Sequence, residues 1–302
     1  MVWNHSNIEE TLLQIGAQQR VPLAELTSFR VGGPAAFVLR PQSYDTIKTA
    51  VRICREADVP FILLGRGTNV LASDDGYDGL VIRFDTPLHE PIYDGTRVTV
   101  CCGTSLTQLA RETVAKGLSG MERLCGIPGS VGGACAMNAG AYGGEIKQIL
   151  RRIRLYRNGV DAWVDVTDAD LGYRRSAFSF PDAIALEAEF ELVPDTGDAA
   201  QTMRECMEKR REKQPLELPS AGSTFKRPEG HFAGALIEQC GLKGVSIGGA
   251  QVSEKHAGFL VNAGGATERD ISALIRLVQE TVLRRTGVRL ECEIKRIGKE
   301  LT

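Results

Sequence analysis

The stretch GIPGSVGGACAMNAGAYGG, residues 126–144, holds seven glycines. Glycine adopts left-handed turns without strain and lets another group approach the main chain closely. Successive backbone N–H groups in such turns form a concave site for anions. The stretch therefore indicates a phosphate or pyrophosphate site, or else a tight-turn loop that serves the fold alone.

Glycine is concentrated in two other places as well, LGRGTNVL (64–71) and GLKGVSIGG (241–249). The chain has 33 glycines in 302 residues, about 11% against an average near 7%. The GRGTNV stretch lacks the third glycine of the dinucleotide fingerprint GxGxxG, and no GxxxxGK[ST] phosphate loop occurs. If a nucleotide binds, a motif other than these two must hold it.

The segments around these motifs alternate between helix and strand patterns, which predicts an α+β protein. Ser43 and Thr267 are placed to cap helices, Asp270 completes a capping box, and Gly287 ends the last helix. The predicted elements are strands at 35–39, 61–65, 79–84, 97–103, 149–157, 162–166, 183–193 and 288–294, and helices at 43–57, 105–117, 199–214 and 267–287. Asn158-Gly159 predicts a hairpin between two of the strands.

The length and the turn signals suggest how the chain divides. At roughly 100–200 residues per domain, 302 residues correspond to two or three domains. The polar, turn-rich sequence PDTGD at 194–198 is typical of a boundary. We therefore expect a domain boundary near residue 195.

Charge and hydropathy exclude several classes of protein. Lys and Arg number 36 against 38 Asp and Glu, which leaves a formal net charge of −2 and argues against a nucleic-acid binder. The short clusters Arg151-Arg152 and Lys209-Arg210-Arg211 are interpreted as solvated faces. The first ten residues lack the features of a signal peptide, and no apolar stretch approaches the ~20 residues that span a bilayer. We expect a cytoplasmic protein without a membrane partner.

The eight cysteines and four histidines predict no metal site. The cysteines form no CxxC pair and have no histidine at ligand spacing, so a structural zinc site is not expected. In a cytosolic chain such cysteines are reduced and mostly buried.

Six sequence blocks, taken together, carry a resemblance to a known family. They are TSFRVGGPA (27–35), LGRGTNVL (64–71), GIPGSVGGACAMNAGAYGGE (126–145), YRRSAF (173–178), AGSTFKRP (221–228) and SEKHAGFLVN (253–262). In this order they resemble the UDP-N-acetylenolpyruvoylglucosamine reductases, over about residues 27–297. The second and third blocks alone also resemble the wider superfamily of PCMH-type FAD-binding flavoenzymes.

The resemblance implies a fold and a cofactor. The implied fold is α+β: a two-subdomain PCMH-type FAD-binding region over 1–195 (subdomains at about 1–80 and 81–195), then a smaller α+β substrate-binding domain over 196–302 whose last strand can return to the active site. FAD would be bound non-covalently, since no histidine falls in the glycine segments. The implied FAD-binding residues are Gly65, Arg66, Gly67, Thr68, Asn69, Gly126, Ile127, Pro128, Gly129, Ser130, Gly133, Asn138 and Gly140.

The family's reaction completes UDP-N-acetylmuramate for peptidoglycan synthesis. In it NADPH reduces FAD, and a hydride then passes to C3 of the enolpyruvyl group of UDP-N-acetylglucosamine enolpyruvate. The charge left at C2 must be stabilised by a cation near the carboxylate and then protonated. The implied partners are therefore NADPH and this small-molecule substrate, with no obligate protein partner.

Two of the three implied catalytic residues have an immediate neighbour as an alternative. Arg174 matches the arginine that polarises the carboxylate, and a guanidinium can bind a carboxylate through two hydrogen bonds. Arg175 is the competing assignment. Ser223 matches the proton donor to C2, and Thr224 is the neighbour that can be mistaken for it.

The third implied catalytic residue is Glu293. Cys292 stands where many relatives have proline, so Glu291 remains an alternative, and strand periodicity places both glutamates on one face. The implied substrate contacts are Tyr142, Arg174, Lys226, Gln251 and Asn262, while His256 is interpreted as a structural histidine. The 80 residues from Ser223 onward resemble the family's shorter subtype, which lacks an inserted loop.

Two other functions compete with the reductase. One is an FAD oxidase of alcohols or aldehydes, which gives no reason for Arg174, Ser223 and Glu293 to occur together. The other is a non-catalytic flavin or UDP-sugar binding regulator, against which the three filled catalytic positions argue.

Overall fold

The structure, a computed structural model, describes residues 5–181 and 183–298. Its helices are α1 (His5–Gln14), α2 (Tyr44–Glu56), α3 (Leu106–Ala115), α4 (Val131–Ala136), α5 (Ile146–Ile149), α6 (Ala199–Lys213), α7 (Ala233–Gln239) and α8 (Glu268–Thr286). Single 3₁₀ turns cover Leu23–Glu25, Glu122–Leu124 and Asp168–Asp170.

Strands are distributed over the whole chain, between the helices. They are β1 (Gln18–Pro22), β2 (Pro34–Leu39), β3 (Phe61–Leu64), β4 (Val70–Ala72), β5 (Tyr77–Arg83), β6 (Ile92–Asp94), β7 (Arg97–Cys101), β8 (Leu118–Ser119), β9 (Gly140–Ala141), β10 (Gly144–Glu145), β11 (Leu150–Arg157), β12 (Val160–Asp165), β13 (Leu171–Gly172), β14 (Arg175–Ser176), β15 (Ile184–Glu191), β16 (Val193–Pro194), β17 (Ser246–Ile247), β18 (Ala250–Val252), β19 (Leu260–Asn262) and β20 (Lys295–Ile297). This mixture of helices and strands agrees with the predicted α+β class.

Side chains at the helix ends confirm the predicted caps. The Ser43 Oγ accepts a hydrogen bond from the Thr46 N–H (3.1 Å), and Thr267 forms a capping box with Asp270 at the start of α8. Gly287 ends α8 in the left-handed conformation, at φ 73°. Because these contacts satisfy otherwise unpaired groups at the helix ends, the local sequence determines where the helices start and stop.

The chain divides into two compact units that are discontinuous in sequence. Unit one comprises residues 1–18, 37–66 and 79–210, and unit two comprises 19–36, 67–78 and 211–302. In unit two, β4 at residues 70–72 pairs in parallel with β20 at 295–297, and this pairing joins distant segments of the chain. The functional domains expected at 1–195 and 196–302 stay a prediction.

Unit one contains an antiparallel five-stranded sheet in the order β12–β11–β15–β7–β6. β15 is buried over nearly its whole length, and α4 packs against β15 and β7. The predicted hairpin is present: Arg157 pairs with Val160, and Asn158 and Gly159 both have positive φ. A four-stranded sheet has the order β1–β2–β5–β3, with β3 and β5 parallel.

Unit two is held together by one apolar core. The antiparallel sheet β17–β18–β19 packs against α8, which also contacts α7. The predicted buried face of α8 is confirmed, and its members are Ile271, Leu274, Ile275, Val278 and Val282. Phe29 and Leu71 join the same core from the two short N-terminal segments of the unit.

The prediction of a regular strand over residues 288–294 was wrong. That segment contributes a single bridge, in which Cys292 pairs with Phe225, and the regular strand β20 begins only at Lys295. Helices α1, α4, α5 and α7 were not predicted, and α4 lies inside the glycine-rich stretch. Glycine hides the helical pattern because it carries no side chain to show which face is buried.

The described residues were examined for membrane-spanning helices and for clusters of metal-binding side chains. No helix within 5–181 or 183–298 is long and apolar enough to cross a membrane. Within the same ranges, no group of three His, Cys, Asp or Glu side chains is placed to hold a metal ion. The cysteines are free thiols, and all but Cys292 are buried, as predicted.

Candidate active site

In unit one the glycine-rich stretch lies along residues 102–106. The Leu106 N–H donates to the Gly129 carbonyl (3.0 Å), and the Val131 N–H donates to the Thr104 carbonyl (2.9 Å). The Ser130 Oγ then caps α4 by accepting from the Gly133 N–H (3.2 Å). Main-chain hydrogen bonds and this serine cap thus hold the stretch against residues 102–106.

Gly65 and Ser130, both predicted to bind FAD, lie against each other. A Cβ at Gly65 would overlap the Ser130 Oγ, so only glycine lets the end of β3 approach the helix cap. The two glycine motifs, 65 residues apart in sequence, are therefore adjacent in unit one. Gly67, Thr68 and Asn69 continue the first motif in unit two, where a Cβ at Gly67 would overlap the Leu26 carbonyl.

Two features of unit one fit a bound FAD. The Thr104 Oγ1 is buried and has no hydrogen-bond partner among the residues that the structure describes. It adjoins the start of α4, where a polar group of a ligand can satisfy it. Gly133, on the exposed side of α4, meets only the Ser130 Oγ within 4 Å of a Cβ position, so its smallness leaves space open rather than filling a contact. Sequence reasoning missed Thr104, which carries no recognisable motif.

Asn138, Gly140 and Arg174 come together in unit one. The Asn138 Nδ2 donates to the Gly172 carbonyl and to the Glu145 Oε2, each at 3.2 Å, and its Oδ1 accepts from the Lys147 N–H (3.0 Å). An Arg174 Nη2 lies 3.4 Å from the Gly140 carbonyl. The YRRSAF block is therefore fixed to the end of the glycine-rich stretch.

The structure distinguishes Arg174 from Arg175. Arg174 is half-buried, and its guanidinium lies over the Tyr173 ring, with 5.1 Å from Cζ to the ring centroid. Arg175 is exposed, and its side chain covers Gly172. The guanidinium that is held against the glycine-rich stretch is that of Arg174.

Unit two distinguishes Ser223 from Thr224 in the same way. Thr224 is 0% exposed, and its Oγ1 accepts a hydrogen bond from the Leu260 N–H (3.2 Å). Ser223 is exposed and forms a bridge with Phe259. A ligand can therefore reach the Ser223 hydroxyl but not that of Thr224.

Glu293 lies beside both Ser223 and the first glycine motif. The Glu293 N–H donates to the Thr224 carbonyl (2.8 Å), and the Asn69 Nδ2 lies 3.5 Å from the Glu293 carbonyl. The Lys295 N–H donates to the Asn69 carbonyl (2.9 Å) where β20 begins alongside β4. Two of the six blocks, 64–71 and 221–228, and Glu293 thus converge in unit two.

Glu291 has different surroundings. It is exposed and forms an ion pair with Lys226, whose ammonium holds the pKa of the Glu291 carboxyl below its ordinary value. Glu293 is half-buried. Because residues 291–294 do not form a regular strand, the expectation that both glutamates share one face does not apply.

The remaining predicted substrate contacts differ in how free their side chains are. The Asn262 side chain donates to the Phe29 carbonyl (3.1 Å) and accepts from the Gly264 and Ala266 N–H groups. Gln251 donates to the Gly244 carbonyl (3.3 Å). Tyr142 is 38% exposed, so it is more accessible to a ligand than either amide.

His256 has the structural surroundings that the sequence predicted. Its Nδ1 accepts from the Gly258 N–H (3.1 Å), and its ring contacts the edge of Phe259. Burial lowers the pKa of His256, which favours the neutral ring.

Arg210 corrects the interpretation of Lys209-Arg210-Arg211 as a solvated face. The Arg210 Cδ would lie 3.1 Å from a Cβ at Gly126, so this side chain covers the first glycine of the stretch. Burial lowers the pKa of its guanidinium. The sequence signal was too short to separate Arg210 from its two neighbours.

Comparison with known proteins identifies the family. Residues 214–297 match the profile of the UDP-N-acetylenolpyruvoylglucosamine reductase C-terminal domain, and residues 35–159 match an FAD binding domain. A UDP-N-acetylenolpyruvoylglucosamine reductase of Clostridium botulinum (strain Hall) is 46% identical over 281 residues, 92% of each chain. The chain belongs to the UDP-N-acetylenolpyruvoylglucosamine reductase family. The resemblance inferred from the six sequence blocks is thereby confirmed.

Two further relatives support the same assignment of this reductase. The Clostridium novyi UDP-N-acetylenolpyruvoylglucosamine reductase is 42% identical over 298 residues, 98% of this chain and 97% of the relative. The crystal structure of the Thermus caldophilus enzyme matches with a TM-score of 0.78 and 34% identity, over 92% of this chain and 98% of that one. The α+β fold with a PCMH-type FAD-binding region is confirmed, and the reductase is an FAD-dependent oxidoreductase.

Proposed function

We propose that this reductase uses NADPH and FAD to reduce the enolpyruvyl ether of UDP-N-acetylglucosamine enolpyruvate to UDP-N-acetylmuramate. The observation that supports this most strongly is in unit two: the exposed Ser223 lies next to a segment that hydrogen-bonds to Glu293, and Glu293 contacts Asn69 of the glycine motif. Main-chain contacts thus bring together the segments that carry a serine, a glutamate and a predicted flavin-binding residue. The cytoplasm is the expected compartment, since it supplies both NADPH and UDP-linked sugars.

Residues of unit one would hold part of the cofactor. Gly65, Ser130 and Gly133 border the open space at the start of α4, and the Thr104 Oγ1 offers an unused polar group there. When bound, FAD would supply the redox chemistry, which is hydride transfer from NADPH to C3 of the enolpyruvyl group. Small residues at these positions let main-chain N–H groups approach the pyrophosphate.

Ser223 is proposed to protonate C2. A serine hydroxyl is a weak acid, so it donates only to a strongly basic centre, such as the carbanion that hydride addition at C3 leaves at C2. Glu293, whose main-chain N–H donates to the Thr224 carbonyl next to Ser223, is proposed to return a proton to the serine oxygen. In this proposal Ser223 delivers the proton to C2, and Glu293 reprotonates Ser223.

Arg174 is proposed to bind the substrate carboxylate. The charge that develops at C2 delocalises into that carboxylate, and a guanidinium that is charged at all working pH values stabilises it. The half-buried position of Arg174 strengthens the effect, because water screens a charge less where access is restricted.

Lys226 is proposed to neutralise the diphosphate of the UDP-sugar. Its ammonium now pairs with the exposed Glu291, and an exposed ion pair of this kind stabilises the protein very little. Exchanging that carboxylate for a diphosphate therefore costs little.

We assign FAD binding to the region up to residue 195 and substrate binding to the C-terminal part. Tyr142, Gln251 and Asn262 are proposed as further substrate contacts.

Anaerobic half-reactions test this function. The purified yellow protein is expected to lose its flavin absorbance with NADPH and to regain it when UDP-N-acetylglucosamine enolpyruvate is added. If NADPH reduces the flavin but UDP-N-acetylglucosamine enolpyruvate does not restore its absorbance, the proposed substrate is wrong. Reduction of the oxidised flavin by simple alcohols or aldehydes, in place of NADPH, would instead indicate an oxidase.

Replacing Glu291 and Glu293 separately tests which carboxyl acts. Glu293→Gln is expected to slow reoxidation by the enolpyruvyl substrate by about 10²-fold, because a positioned acid–base group contributes at least that much. Glu291→Gln is the matched control and is expected to change this rate only a few-fold, since its ion pair with Lys226 is exposed. Stopped-flow absorbance measures both, and a larger effect of Glu291→Gln would reverse the assignment.

A further inference from the structure

The side chain of Asn138 is buried and fully engaged with protein groups. It is 2% exposed, and it makes three hydrogen bonds: Nδ2 donates to the Gly172 carbonyl and the Glu145 Oε2, and Oδ1 accepts from the Lys147 N–H. An asparagine amide can make only a few such bonds. Its side chain therefore connects segments of unit one to one another.

Those segments carry Arg174 and its hydrogen-bond partner. Gly172 belongs to the hairpin β13–β14, in which it pairs with Arg175 and leaves Tyr173 and Arg174 as the turn. Glu145 belongs to the hairpin β9–β10, in which it pairs with Gly140, and the Gly140 carbonyl accepts the Arg174 Nη2 at 3.4 Å. Asn138 thus bonds to both hairpins between which the Arg174 side chain extends.

The backbone of Arg174 needs such an anchor. Its φ of 56° is in the left-handed region, which is unfavourable for a residue with a Cβ. A strained conformation of this kind persists only where surrounding contacts maintain it. Asn138, at φ 39°, and Tyr142, at φ 53°, share this conformation, so three left-handed residues are concentrated around the two hairpins.

We propose that Asn138 is a positioning residue for Arg174, and this rests on the proposed role of Arg174 at the substrate carboxylate. Asn138 holds the β13–β14 hairpin against the β9–β10 hairpin and so fixes the guanidinium. The family resemblance implied an FAD contact for Asn138 instead. An FAD contact predicts loss of FAD or of reduction by NADPH, whereas a positioning role predicts slower reoxidation by the substrate.

Asn138→Ala is expected to leave FAD content and reduction by NADPH unchanged. Reoxidation by the enolpyruvyl substrate is expected to slow by about 10- to 10²-fold, since displacing a substrate-orienting group by about 1 Å costs that much. In Asn138→Ala/Arg174→Ala the loss is expected to equal that of Arg174→Ala alone, because an anchor has no effect once the anchored side chain is gone. The proposal would be overturned if Asn138→Ala lost FAD while its remaining flavin was reoxidised normally. It would also be overturned if the double variant slowed reoxidation by the product of the two separate effects.

Two further variants keep the test decisive if Asn138→Ala folds poorly. Asn138→Asp preserves the side-chain volume and the acceptor for Lys147, but it replaces the donor to Gly172 with an oxygen, so the same selective loss is expected. Asn158→Ala, also at a left-handed position in unit one, is the matched control and is expected to leave both half-reactions unchanged.

Hydrogen exchange separates this proposal from the proposed function. In Asn138→Asp the amides of residues 171–177 are expected to exchange faster than in the wild type, while those of 150–157 stay protected. Unchanged exchange at 171–177 would refute the anchor whatever the kinetics show. If Arg174→Ala itself leaves reoxidation unchanged while exchange rises in the Asn138 variant, the role of Arg174 fails and the anchor stands.

Discussion

Ser223→Ala is expected to slow reoxidation of the reduced flavin by the enolpyruvyl substrate by about 10²- to 10⁴-fold, the usual contribution of a general acid. Reduction by NADPH is expected to remain nearly normal, because no proton is delivered to C2 in that half-reaction. The side chain is exposed, so removing its hydroxyl leaves no buried group unpaired. Stopped-flow absorbance of the flavin measures both rates on one sample.

Thr224→Val is the control for Ser223→Ala. The Thr224 Oγ1 accepts from the Leu260 N–H in the core of unit two, so its removal leaves that N–H unsatisfied and costs about 1–3 kcal/mol of stability. The folded fraction is expected to keep its reoxidation rate. If Thr224→Val slows reoxidation as much as Ser223→Ala, the proton donor has been assigned wrongly. Equal losses in both half-reactions of Ser223→Ala would indicate damaged flavin binding instead.

The sequence predicted those parts of the fold that local chemistry determines. The capping box of Thr267 and Asp270, the apolar stripe of α8 and the left-handed Gly287 are all present as expected. Each depends on residues within a few positions of one another, so a single segment carries the whole signal. The same is true of the Asn158-Gly159 hairpin.

The division into units was not predictable in this way. It depends on parallel pairing between Val70 and Lys295, and on the hydrogen bond from the Ser28 Oγ to the Ser220 carbonyl. Such partners are far apart in sequence, and local periodicity contains no information about them. The polar stretch at 194–198 is a genuine turn, yet α6, which follows it, lies largely in unit one.

The choice between neighbouring candidates also needed the structure. Strand periodicity could not separate Glu291 from Glu293, because it assumed a regular strand where the chain makes only one bridge. Burial separates Thr224 from Ser223, and contact with Gly140 separates Arg174 from Arg175. The six blocks identified the family, while the packing shows how the two members of each pair differ in burial and contacts.

Arg174→Ala is expected to reduce the rate of reoxidation by the substrate by about 10²- to 10³-fold, the cost of removing one group that stabilises developing negative charge. Arg174→Lys is expected to recover only part of this loss, because an ammonium keeps the charge but not the two parallel hydrogen bonds of a guanidinium. Reduction by NADPH is expected to be unaffected in both variants.

Arg175→Ala is the matched control for Arg174→Ala, since it removes the same charge from the next residue of the same hairpin. Arg175 is exposed and extends over Gly172, so its loss is expected to change reoxidation no more than a few-fold. A long-range effect of charge on the anionic substrate would slow both variants alike and would weaken as salt is raised. A selective loss in Arg174→Ala that persists at high salt would therefore require direct contact of this guanidinium with the substrate, whereas equal losses would contradict its assignment.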